Sequence, residues 1–139
     1  MRSLERSLAF YHDLLGLRVI EISHEEDVSH VVGIPGATVK AADLDAGDGR
    51  IVELLEYVAA RGPDVPQSPN GAGCLHLALR VPDLVGVLQR LAEAGHVPAG
   101  TPTTMTGGVA WEGATVVYLR DPDGALVELI QRPAPPTRD

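Results

Sequence analysis

The sequence predicts an α+β fold made of two copies of one βαβββ unit, with the opening strand missing from the first copy. Three observations predict it. Two amphipathic helical stripes recur 80 residues apart, two Val-Glu-Leu strands recur 75 residues apart, and an alternating apolar strand precedes the second helix but not the first. Self-similarity at a fixed spacing is the mark of a duplicated structural unit. A chain of 139 residues with 45% hydrophobic content can bury one core of ordinary size.

Each element has its own local reason. Ser3 is a suitable N-cap, Leu4, Leu8, Tyr11 and Leu15 follow on one helical face, and Gly16 takes the C′ position. The second helix is introduced by Pro82 and Asp83, carries Leu84, Leu88 and Leu91 on one face, and stops at Gly95. The paired strands are 50–55 and 125–130, each with one acid at the same place, and each follows a turn: Gly47-Asp48-Gly49 or Asp121-Pro122-Asp123-Gly124. Although acidic, the second of these lacks the oxygen-ligand spacing of a calcium loop and reads as a turn. Further strands are expected at 17–22, 38–44, 96–99 and 115–119, and the strand before the second helix at 74–81. Under the helix offset Met1 aligns with Val81, so the equivalent first strand would lie upstream of the first residue. An internal start within a longer gene, or a strand supplied by a partner chain, would account for this. The expected organisation is a single domain over 1–132, with half-modules 1–58 and 74–132, a Pro- and Gly-rich linker 59–73, and a frayed tail 133–139.

Charge and composition narrow the function classes. The net charge is −8 and the basic residues are scattered, so neither nucleic acid nor a membrane surface is an expected partner. The single cysteine, Cys74, forms no internal disulfide, and no apolar run approaches the roughly 18 residues of a membrane span. A cytoplasmic location is the expectation. Only five aromatic residues are present, which disfavours a pocket built on aromatic stacking.

Three residues stand out as candidates for chemistry. Strand alternation puts Cys74, His76, Ala78 and Arg80 on one face and Leu75, Leu77, Leu79 and Val81 on the other, so the leucine face packs on a helix and His76 faces away from it. Glu53 and Glu128 sit in otherwise apolar strands. A lone acid there is ordinarily an edge residue or an ion-pair partner, but at duplicated positions the same accident would be needed twice. One imidazole and two carboxylates form a mixed N/O set suited to a divalent Ni, Co, Zn, Mn or Fe ion. His12, His24, His30 and His96 read as surface residues, and no base is assignable to Cys74. The segment 101–113, with Gly107, Gly108 and Trp111, reads as a flexible lid.

The pattern resembles the glyoxalase, bleomycin-resistance and dioxygenase superfamily, also called vicinal oxygen chelate. The resemblance rests on residues 3–11, Leu14-Leu15-Gly16-Leu17, the 74–81 strand, and Asp121-Pro122-Asp123-Gly124 followed by Val127-Glu128-Leu129. It implies paired βαβββ modules curved into a mixed-sheet cup, a homodimer, and metal ligands from the first and last strands of each module, here Glu53, His76 and Glu128. It also implies an isomerase or lyase, similar to glyoxalase I or methylmalonyl-CoA epimerase, that removes a proton next to a carbonyl. Glu53 and Glu128 would be the catalytic acids and bases. Two alternatives share the fold: an extradiol ring-cleaving dioxygenase, in which Tyr118 would stand behind the metal, and a metal-free small-molecule binding or antibiotic-resistance protein.

Overall fold

A computed structural model describes residues 1–47, 49–108 and 110–134. Asp48 of the first predicted turn, Val109 of the predicted lid and residues 135–139 of the predicted tail lie outside the described residues. The chain divides into two compact units at Pro66/Gln67, inside the predicted linker.

The first unit contains α1 (Leu4–Leu8), β1 (Arg18–Ile22), β2 (Glu26–Asp27), α2 (Ser29–Val32), β3 (Thr38–Asp45) and β4 (Ile51–Ala59). Ser3 caps α1 as expected, its side chain accepting from the Arg6 N–H. The expected α-helix does not continue to Leu15. Ala9–Leu14 is π-helical, and the Leu15 N–H reaches back to the Phe10 carbonyl at 3.0 Å. This wider turn accompanies burial of the adjacent Phe10 and Tyr11, which a regular α stripe would separate. Gly16 then leaves the helix at φ 84°.

The sheet of the first unit is wholly antiparallel. β3 pairs along one edge with β4 and along the other with β1 and β2. Ala42, Leu44 and Leu54 form the buried face under α1, and Val39, Ala41 and Asp43 face the other way. β2 and the single turn α2 were not expected; they form in the acidic stretch between β1 and β3. Among the described residues no strand precedes α1 and the outer edge of β4 pairs with none.

The second unit follows the expected βαβββ order: β5 (His76–Arg80), α3 (Leu84–Glu93), β6 (Thr103–Thr104), β7 (Thr115–Arg120) and β8 (Leu126–Gln131). Its sheet has the order β5-β8-β7-β6 and is mixed, because β5 runs parallel to β8. The mixed character expected of the sheet is thus confined to the second unit. Leu79, Leu119, Val127, Leu129 and the α3 residues Leu84, Val87 and Leu91 make the core. Asp83 caps α3 by accepting from the Gly86 N–H, and Gly95 follows at φ 84°.

Two expectations fail in this unit. Residues 96–99 form no strand, since Pro98 has no N–H to donate; only the Ala99 N–H reaches the Tyr118 carbonyl, at 2.7 Å, and the edge is instead β6. Strand β5 starts at His76 rather than Cys74, which leaves Leu75 outside the core at 84% exposure. The turn at 121–124 closes on the Asp121 carboxylate, which accepts from the N–H groups of Asp123 and Ala125 at 2.9 and 2.7 Å.

The duplication extends to individual hydrogen bonds. The Val81 N–H donates to the Ile130 carbonyl at 2.9 Å, and the Met1 amino group donates to the equivalent Leu55 carbonyl at 2.7 Å. The Leu84 N–H donates to the Gln131 side chain at 2.6 Å, and the Leu4 N–H donates to the equivalent Glu56 at 2.9 Å. In each unit the last strand carries a polar side chain that closes the helix N-terminus.

Candidate functional site

In the second unit three adjacent strands bring His76, Glu128 and Tyr118 to one face. The parallel register sets Ala78 opposite Glu128, so His76, two residues earlier, shares its face; the antiparallel register sets Tyr118 directly opposite Glu128. His76 Nε2 lies 3.4 Å from Glu128 Oε2 and 3.4 Å from the Tyr118 hydroxyl, and the two rings meet edge to face at 5.2 Å. These contacts are longer than strong hydrogen bonds. Glu128 is shielded while His76 remains open to solvent, with side chains 18% and 43% exposed. Burial raises the Tyr118 hydroxyl above the ordinary phenol value of 10.0, and the nearby Glu128 carboxylate raises it further. Tyr118 therefore stays a protonated donor through neutral pH.

The His76–Glu128 pair fits two positions of a divalent ion's ligand sphere. Neighbouring ligands at about 2.1 Å from an octahedral ion stand about 3 Å apart, a small closing movement from the observed separation. Among the described residues no group of three His, Cys, Asp or Glu side chains is gathered tightly enough to hold a metal ion.

Glu53 lies on β4 of the first unit and faces a cavity of about 320 Å³ on that unit's sheet. Its position repeats that of Glu128, 75 residues later. Directly opposite Glu53 on β3 is Asp43, and opposite Asp43 on β1 is Glu21. Sequence reasoning missed Glu21, Asp43 and Tyr57, all of which line this cavity. Alternation along 38–44 hinted at Asp43, but a β-bulge after Val19 is what turns Glu21 to the same face.

Of the other residues singled out, Cys74 is half-buried with its Sγ 3.1 Å from the Gln67 side chain. The predicted lid is tied at its base: Met105 donates to the Ala114 carbonyl at 2.9 Å, and Gly113 donates to the Met105 carbonyl at 2.8 Å. Arg132 stacks over the Trp111 ring, 4.5 Å from its centre. His12 engages the Leu17 carbonyl at 2.7 Å, and His24 and His30 are exposed.

The model of the glyoxalase, bleomycin resistance protein and dioxygenase superfamily matches residues 1–129. The chain belongs to this superfamily. Among its superfamily relatives, lactoylglutathione lyase from Haemophilus influenzae is 26% identical over 128 residues, covering 92% of this chain and 84% of that protein. Lactoylglutathione lyase from Salmonella typhimurium is 25% identical with the same coverage of 92% and 84%. The crystal structure of a glyoxalase family protein from Bacillus cereus superposes with a TM-score of 0.81 at 21% identity, covering 96% of this chain and 89% of that one. That likeness concerns the fold. Among the described residues no helix of this superfamily member is long and apolar enough to cross a membrane.

Proposed function

We propose that this glyoxalase-superfamily chain is a divalent-metal-dependent isomerase or lyase that removes a proton next to a carbonyl in a small-molecule substrate. The observation that carries the reading is the His76–Glu128 pair, an imidazole and a carboxylate 3.4 Å apart on the first and last strands of one unit. Glu53 enters the proposed ligand set of Glu53, His76 and Glu128 only through the superfamily resemblance, as the repeat counterpart of Glu128 in the other unit. A bound divalent ion would supply stabilisation of the negative charge that develops on the carbonyl oxygen as the neighbouring proton leaves. Glu53 or Glu128 takes and returns that proton, and the protonated Tyr118 hydroxyl orients the His76 ring. Dimerisation belongs to the same proposal.

The test is metal analysis of the purified protein together with a lactoylglutathione assay and a screen for solvent deuterium entering α-hydroxycarbonyl compounds. Metal-dependent exchange lost in Glu53→Gln or Glu128→Gln supports the reading. Exchange that is absent with every metal tried overturns it. A second reading, a metal-free small-molecule binding protein, is favoured by the apolar part of the first unit's cavity, lined by Val28, Val39, Leu55 and Tyr57.

A further inference from the structure

A separate cavity, of about 340 Å³, lies wholly within the second unit. Along β7 the side chains of Val116, Tyr118 and Arg120 share one face, and all three line it. Leu126, directly opposite Arg120 on β8, adds apolar surface, while Thr103, opposite Val116 on β6, and Thr101 add hydroxyls. Tyr118 is the wall shared with the candidate site, since its hydroxyl stands 3.4 Å from His76 Nε2.

Although the chain carries a net charge of −8, the one charged side chain in this lining, among the described residues, is a cation, Arg120. Its guanidinium donates to the carbonyls of Gly124 and Gln67, both at 2.8 Å. These bonds fix the group in place but leave its charge unanswered, because both acceptors are neutral and Arg120 forms no ion pair among the described residues. A guanidinium has five N–H donors, so most of them stay available, and the side chain is open to solvent. Glu128, diagonal to Arg120 across β7 and β8, stands outside the lining and turns to His76. Tying the linker to the 121–124 turn accounts for the two carbonyl bonds. It does not account for a hollow beside them that holds no other charge.

From this geometry we infer that the cavity receives the charged end of an anionic substrate, a small carbonyl compound that carries a carboxylate on an apolar body, and that Arg120 is the specificity-determining residue. The inference rests on the proton-transfer reading for the carbonyl and adds the ligand charge which that reading leaves open. The carboxylate takes the remaining guanidinium donors in a charge-assisted contact. The apolar body lies on Val116 and Leu126, and the carbonyl stands past Tyr118 at the His76–Glu128 pair. A planar guanidinium already held by two carbonyls loses little further freedom when the anion binds.

The experiment is an NMR titration of the isotope-labelled full chain with three matched probes, hexanoate, hexanamide and hexylamine, in EDTA and low salt. The readout needs neither metal nor turnover. An anion preference that fails therefore strikes this inference alone, and metal-dependent exchange that fails with the preference intact strikes the proton-transfer reading. Hexanoate is expected to bind about tenfold tighter than hexanamide, with hexylamine weakest, to shift the signals of Thr101, Thr103 and Tyr118, and to lose its advantage as salt rises. Arg120→Gln should bring acid and amide to within about twofold of each other. Because that change also loosens the linker, Thr101→Glu serves as the second variant: it places an acid in the lining at an exposed residue, leaves Arg120 intact, and should remove the preference as well. Arg80→Gln removes an equal charge from the same sheet face outside the lining, and should retain the preference. Amide or amine binding as tight as hexanoate, no binding of any probe at tens of millimolar, a preference that survives Thr101→Glu, or one lost equally in Arg80→Gln would overturn the inference.

Discussion

His76 and Glu128 lie side by side, Nε2 to Oε2 at 3.4 Å, although 52 residues separate them in the chain. The parallel pairing of β5 with β8 creates this proximity and brings together two residues that the sequence marks only separately.

If the pair holds a divalent ion, removing either donor weakens binding without unfolding the protein. His76→Ala and Glu128→Gln are each expected to reduce Co²⁺ affinity by about 10-fold or more, in the range seen when a metal site loses a ligand or its support. The visible absorption of Co²⁺-loaded protein reads ligand loss directly, and circular dichroism checks the fold. Unchanged spectra and affinity in both variants would remove the metal site.

Tyr118 gives a pH prediction. Its folded pKa is raised, so the folded state holds the phenolic proton more tightly than the unfolded chain does. Its contribution to stability is therefore fully present below the ordinary phenol value of 10.0 and is lost as pH rises through the raised value. Urea midpoints measured from neutral pH into the alkaline range should fall more steeply for the native chain than for Tyr118→Phe. Parallel curves would show that Tyr118 is not perturbed.

The equivalent helix closures at Glu56 and Gln131 should contribute comparably, with Glu56 also holding Arg61 at 2.8 Å. Glu56→Ala and Gln131→Ala each orphan a helix-start N–H, of Leu4 or Leu84, and should cost about 0.5–2 kcal/mol by urea denaturation. Leu44→Ala and Leu129→Ala, at fully buried positions, should each cost about 2–5 kcal/mol. A capping loss as large as the core loss would contradict this ordering.

Among the described residues the outer edge of β4 pairs with no strand, and self-association is the expected solution behaviour because open strand edges seek partners. Light scattering coupled to size exclusion should report a dimer. A stable monomer at micromolar concentration would count against it.

The duplication, both helix caps, the acids at 53 and 128 and the superfamily were legible in the sequence, because each is a local pattern repeated at a fixed interval. Ser3 and Asp83 cap whatever follows them, and a period-two strand declares its faces without help from the rest of the chain. Where neighbours decide the outcome, the sequence was silent. The π-helical turn at Ala9–Leu14 accompanies the burial of both Phe10 and Tyr11, and 96–99 forms no strand where Pro98 has no N–H to give the neighbouring edge. The Glu21–Asp43–Glu53 row depends on a bulge that shifts β1 by one residue against β3. Register is a property of paired strands, so only the tertiary structure could set those three carboxylates in line or bring Tyr118 against Glu128.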